Sequence, residues 1–104
     1  MVLTSLIQKL KAFKRRVKAK FGLDEMLLFG SRARGDHLQD SDADVVLVSR
    51  GFSNLSFPRR LSAVSELWME KTRMDALCYT PEEFKRLKLK SYVLSAAVRE
   101  GICI

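Results

Sequence analysis

The chain has 104 residues, 19 Lys and Arg against 12 Asp and Glu, and a formal net charge of +7. That length supports one hydrophobic core, and 47% apolar residues with nine aromatics argue for a packed globule rather than a disordered chain. No apolar run approaches the roughly 18 residues of a membrane span, and Thr4, Ser5, Gln8, Lys9 and Lys11 interrupt any signal-like stretch.

In chain order, Leu3, Leu6, Ile7, Leu10, Phe13 and Val17 recur at helical spacing, which predicts an amphipathic helix over residues 2–20 ended by Gly22. Seven basic residues lie between Lys9 and Lys20, with Lys11, Lys14, Arg15 and Lys18 on the side away from the apolar stripe. Such a face can attract nucleic acid, a nucleotide phosphate or an acidic partner, and it is as often simply solvated. Met26-Leu27-Leu28-Phe29 reads as a short buried strand broken by Gly30-Ser31. Ser31 is placed to cap a short helix over residues 32–36, before an irregular segment from Gly35 to Ser41.

Val45–Val48 is the clearest strand, β-branched and bounded by polar residues, and Arg50–Asn54 follows as a loop. Pro58 suits a first helical position, and Leu61, Val64, Leu67 and Trp68 extend a helical stripe to about Glu70. A third strand is expected near Met74–Tyr79. Thr80-Pro81-Glu82-Glu83 has the composition of a capping box with proline at the first helical position. Helix continues to Glu100 with a break near Lys90-Ser91, and Ile102–Ile104 is expected to add an edge strand. The order α-β-α-β-α-β-α implies an α/β (α+β) fold, a small mixed sheet with helices packed on it, in one domain over residues 1–104. Cys78 and Cys103 make neither a disulfide framework nor a zinc cluster and read as two small buried hydrophobes in a reducing cytoplasm.

The unusual segment runs from Phe29 to Val48, where four of the twelve acidic residues fall between Asp36 and Asp44 beside Arg32 and Arg34. Asp40-Ser-Asp42-Ala-Asp44 begins like a calcium loop, but Val45 and Gly51 stand where that loop needs glycine and glutamate. A phosphate-binding P-loop is excluded because no Gly-Lys-Ser/Thr follows the glycine. His37 is the single histidine and reads as a loop residue; Arg34-Gly35-Asp36 reads as a chance adhesion tripeptide. Asp42 and Asp44 alternate at the start of a strand, so both carboxylates point to one face. Two close anions repel unless a cation lies between them, and a hard divalent ion such as Mg²⁺ suits carboxylates together with substrate phosphates. Taken alone, that pair reads better as a polar loop entering a strand, with Asp42 capping a turn.

It is not alone. Gly30-Ser31, ten residues and then Asp42-Ala43-Asp44, with Arg32-Ala33-Arg34-Gly35 and Ser41 between, closely resembles the minimal nucleotidyltransferases of the DNA polymerase β-like superfamily. Asp75 and the ending from Thr80 to Ile102 extend the likeness over most of the chain, and ending soon after that point fits the minimal form. Ala43 departs from the pattern, since members carry a larger apolar residue there; packing rather than metal binding is where this should tell.

The resemblance implies roles. Gly30 and Ser31 would receive the triphosphate, with Arg32 or Arg34 neutralising it. Asp42, Asp44 and Asp75 would be the catalytic carboxylates holding two Mg²⁺ ions, Asp75 binding the hydroxyl-activating one or acting as base. The implied activity moves a nucleoside monophosphate, AMP from ATP in the first instance, to a hydroxyl on a protein. The implied setting is a toxin-antitoxin pair in which this chain is the antitoxin of a HEPN-domain ribonuclease. The alternative is an antitoxin that neutralises its toxin by binding alone. Direct nucleic-acid binding is disfavoured, since Phe13 is the only aromatic between Lys9 and Lys20 and lies on the apolar stripe.

Overall fold

The computed structural model describes residues 3–30 and 43–104. Helix α1 (Leu3–Phe21) is followed by strands β1 (Glu25–Phe29) and β2 (Ala43–Val48), a 3₁₀ turn over Arg50–Phe52 and helix α2 (Phe57–Ser65). Strand β3 (Met74–Tyr79), helices α3 (Pro81–Leu87) and α4 (Tyr92–Glu100), and the short strand β4 (Ile102–Cys103) complete the order. The expected mixed sheet with flanking helices is what forms. The short helix at residues 32–36 lies outside the described residues.

The sheet has the order β3-β2-β1-β4, with β1 antiparallel to β2 and β4, and β2 parallel to β3. Alternation along each strand divides its side chains between two layers. Met26, Leu28, Ala43, Val45, Leu47 and Cys78 face one layer, where Leu6, Leu10, Phe13 and Val17 of α1 and Val64 of α2 cover them. Leu27, Val46 and Val48 face the other, beneath Phe84 of α3 and Leu94 and Ala97 of α4. Strand β2 is central and buried on both sides, and its apolar run reflects that. Ala43 is fully buried on the α1 side, so its small size affects that packing and not the face that carries Asp44.

Local chemistry fixes the ends. Gly22 has φ +76°, a left-handed stop for α1, and its N–H donates to the Lys18 carbonyl. The capping box forms as read: the Glu83 amide donates to Thr80 Oγ1 at 3.2 Å and the Thr80 amide to Glu83 Oε1 at 2.8 Å. Ser91 starts α4 by accepting from the Leu94 amide, which is the expected break in the last helical stretch. Helix α2 stops at Ser65, short of Glu70; Leu67 and Trp68 still pack against the core from the following turn, and Trp68 meets Phe13 edge-on at 5.5 Å.

Two readings need correction. The Arg50–Asn54 loop contains a 3₁₀ turn that buries Phe52 completely. Cys103 is exposed because the two-residue edge strand leaves its side chain uncovered, while Cys78 is buried as expected. On the basic face of α1, Lys11, Arg15 and Lys18 are exposed as expected, while Lys14 Nζ donates to the Ile104 carbonyl at 2.7 Å; beside that face Arg16 donates to the Leu67 carbonyl at 3.2 Å and Lys9 pairs with Glu70 at 3.4 Å.

Candidate active site

The parallel register sets Asp44 directly beside Asp75, while the antiparallel register sets Phe29 opposite Asp44. Phe29, Asp44 and Asp75 therefore form one row across three adjacent strands, on the face covered by α3 and α4. Neighbouring strands lie about 4.8 Å apart, so the two carboxylates of that row are within reach of a shared ligand. Asp44 is half-buried and Asp75 exposed, which leaves the row open to solvent at the Asp75 side.

Gly30 closes the row at β1. Its φ is +77°, and a Cβ at this position would lie 2.7 Å from Asp44 Oδ2. Glycine is thus required twice, for the left-handed backbone and for the space the Asp44 carboxylate occupies. The chain leaves β1 close over that carboxylate, which gives Gly30 its physical reason. Ser31, Arg32, Arg34 and Asp42 lie outside the described residues, so the structure brings together Gly30, Asp44 and Asp75 of the seven residues read as a site. Among the described residues no group of three or more His, Cys, Asp or Glu gathers to hold a metal ion. The pair of hard oxygen donors on Asp44 and Asp75, with backbone drawn in tightly at Gly30, nonetheless fits a small divalent cation.

At the opposite end of β2 and β3 lies a polar cluster that the sequence did not announce. Arg60 is 4% exposed. Its guanidinium donates to the carbonyls of Phe52 (3.0 Å), Leu55 (2.9 Å) and Cys78 (3.1 Å), pairs with Glu83 Oε1 at 2.6 Å, and stacks 4.6 Å from the centre of the Phe57 ring. The Arg60 hydrogen bond holds the Glu83 carboxyl below the usual carboxylate range, with the Thr80 amide adding to it and partial burial opposing. Burial pushes the Cys78 thiol up to about 12, the nearby Arg60 charge only partly offsetting it. Ser49, also buried, accepts from the Gly51 amide and donates to the Gly22 carbonyl at 2.8 Å, joining the end of α1 to the end of β2. This end holds the framework.

Comparison with known proteins bears on the carboxylate end. The sequence profile of the family described as "Nucleotidyltransferase domain" matches residues 10–100, nearly the whole chain. The chain belongs to that family. A nucleotidyltransferase domain takes a nucleoside triphosphate as substrate and usually a divalent metal. A Methanocaldococcus jannaschii protein named "Putative protein adenylyltransferase" is 31% identical over 68 residues, covering 64% of this chain and 69% of that protein. The crystal structure of a "putative nucleotidyltransferase" from Sulfolobus solfataricus superposes with a TM-score of 0.70 at 25% identity, covering 97% of this chain and 80% of the other. The nucleotidyltransferase fold thus accounts for the mixed sheet and its helices. Among the described residues no helix is long and apolar enough to cross a membrane.

Proposed function

We propose that this nucleotidyltransferase domain transfers AMP from Mg-ATP to a hydroxyl group on a protein. The observation that carries the reading is the register that sets Asp44 beside Asp75, with Gly30 packed against the Asp44 carboxylate. A site for binding alone has no use for two adjacent carboxylates at a glycine turn. The name of the M. jannaschii relative supports a protein acceptor over a nucleic acid.

In this reading Asp42, Asp44 and Asp75 hold the divalent cations, and Gly30 and Ser31 receive the triphosphate with Arg32 or Arg34. When bound, the metal would supply Lewis acidity, making the acceptor hydroxyl easier to deprotonate and the pyrophosphate a better leaving group. Asp75, at the exposed end of the row, orients the acceptor hydroxyl and takes up or relays its proton. The acceptor oxygen bonds to the α-phosphorus as the bond to the β-phosphate oxygen breaks, and pyrophosphate leaves. The resemblance of the Gly30–Asp44 segment to minimal nucleotidyltransferases points to a HEPN-domain toxin as acceptor and to an antitoxin role for this chain.

The test is incubation with Mg-ATP and the product of the neighbouring gene, with intact mass of both proteins as readout. An AMP adduct on the partner, reduced about a hundredfold or more in rate by Asp44→Asn or Asp75→Asn, is the expected result. A partner that is bound and silenced without any adduct would defeat the transfer reading and leave masking by contact.

A further inference from the structure

Beside Gly30 lies a second feature that none of these roles uses. Phe29, Gly30, Tyr92, Val93, Ala96 and Glu100 line a slot of about 160 Å³ between the end of β1 and α4. Positions 92, 93, 96 and 100, with Ala97 between, form one helix face, so the slot runs lengthwise under α4. Its middle is open because Ala96 and Ala97 stand where a larger side chain would fill it. Tyr92 is 83% exposed and Val93 51% exposed at one end of the slot. Whole-ligand pockets begin at roughly 300 Å³, so this space is sized for one ring system rather than a complete nucleotide. A larger apolar groove, lined by Phe57, Leu61 and Tyr79, lies along β3 and does not include Gly30.

We infer that the slot under α4 is the nucleobase site, holding the flat ring of the triphosphate substrate against Tyr92, Ala96 and Phe29. This rests on the proposed nucleotide reading of the Gly30–Asp44–Asp75 row. Continuity decides the occupant: Gly30 is both the wall of the slot and the residue against which the Asp44 carboxylate packs. A ligand with its phosphates at the row has its next segment, sugar and base, within reach of an apolar space opening from that glycine. Aromatic and small apolar walls suit a ring bound by its faces, which is tolerant of base identity. Glu100, which pairs with Arg99 at 3.9 Å, adds a carboxylate to the lining.

Isothermal titration calorimetry with Mg-ATP and with Mg-tripolyphosphate separates base from phosphate recognition. ATP is expected to bind the unaltered protein more tightly than tripolyphosphate. Ala96→Leu, which fills the slot, should weaken ATP about tenfold, and Tyr92→Ala, which alters an exposed side chain and spares the fold, should act in the same direction. Tripolyphosphate binding should be unchanged in both. ATP binding equal to that of the unaltered protein in both variants would overturn the inference, as would variants that lose affinity for a protein partner while keeping ATP. An unaltered protein that binds neither ligand, or whose binding of both ignores Asp44→Asn, would instead bring down the nucleotide reading beneath it.

Discussion

Strands β2 and β3 end in two different ways. At their start, Asp44 and Asp75 stand side by side and Asp75 reaches solvent; at their finish, Arg60, Glu83 and Ser49 are knitted into backbone carbonyls and amides. One pair of strands thus carries a carboxylate end open to a ligand and an anchored end that holds the helices in place. The contrast separates two tasks along the same strands, presentation of carboxylates at one end and anchoring of the helices at the other.

The largest expected effect is at the anchor. Arg60→Met removes the cation from three carbonyls and from the Glu83 carboxylate, and should cost about 3 kcal/mol in denaturant unfolding. Below its lowered unfolding midpoint the variant should keep the transfer activity proposed for the unaltered protein, because Phe52, Leu55, Cys78 and Glu83, which Arg60 holds, lie outside the carboxylate row. Loss of transfer in a fully folded Arg60→Met protein would break the division between the ends.

Next comes Gly30→Ala, the converse experiment. The added methyl meets Asp44 Oδ2 at 2.7 Å on a backbone at φ +77°, so the carboxylate must shift. Displacement of a reacting group by a fraction of an ångström is expected to lower the rate about a hundredfold, with only about 1–2 kcal/mol lost in stability. Equal damage to both would mean that Gly30 serves the fold alone.

Glu83→Gln tests the anchor's charge at smaller scale, with about 2 kcal/mol expected at neutral pH. Glu83 is held below its ordinary value in the folded chain, so its ionised form stabilises the fold above the unfolded carboxyl value of about 4.5. That contribution disappears as pH falls from there through the lowered folded value. Unfolding curves between pH 7 and 3 should therefore steepen less in Glu83→Gln than in the unaltered protein, and parallel curves would remove Glu83 from the account.

Smallest is a labelling difference without a stability change. Cys103 should react with iodoacetamide at pH 8, whereas Cys78, buried and raised to about 12, should stay unmodified until the protein unfolds. Rapid labelling of Cys78 would show that the anchored end opens readily.

The two ends also differ in how far they could be read beforehand. At the carboxylate end the strands that carry Asp44 and Asp75 were legible from their short apolar runs, while Ser31 and Asp42 of the predicted site lie outside the described residues. The capping box at Thr80–Glu83 was legible because it is complete within four residues. Arg60 was not, since Arg59-Arg60 looks like any charged helix pair, and only the carbonyls of Phe52, Leu55 and Cys78 decide which arginine turns inward. Phe52 hid in a segment rich in turn residues, and the partners that bury it belong to α1 and α2. Strand order was likewise beyond local pattern, because the place of β2 between β1 and β3 depends on contacts between distant segments.

The parallel pairing of β2 with β3 has a kinetic meaning. Asp44 and Asp75 meet only after the connection from Ser49 to Arg73, with α2 inside it, has crossed over and docked. An antiparallel hairpin of β1 and β2 can form early from neighbouring chain, yet it would carry only one of the two acids. Closing the long crossover is the slower entropic step. A nascent or partly unfolded chain therefore holds no paired carboxylates, and the pair is assembled only with the completed sheet.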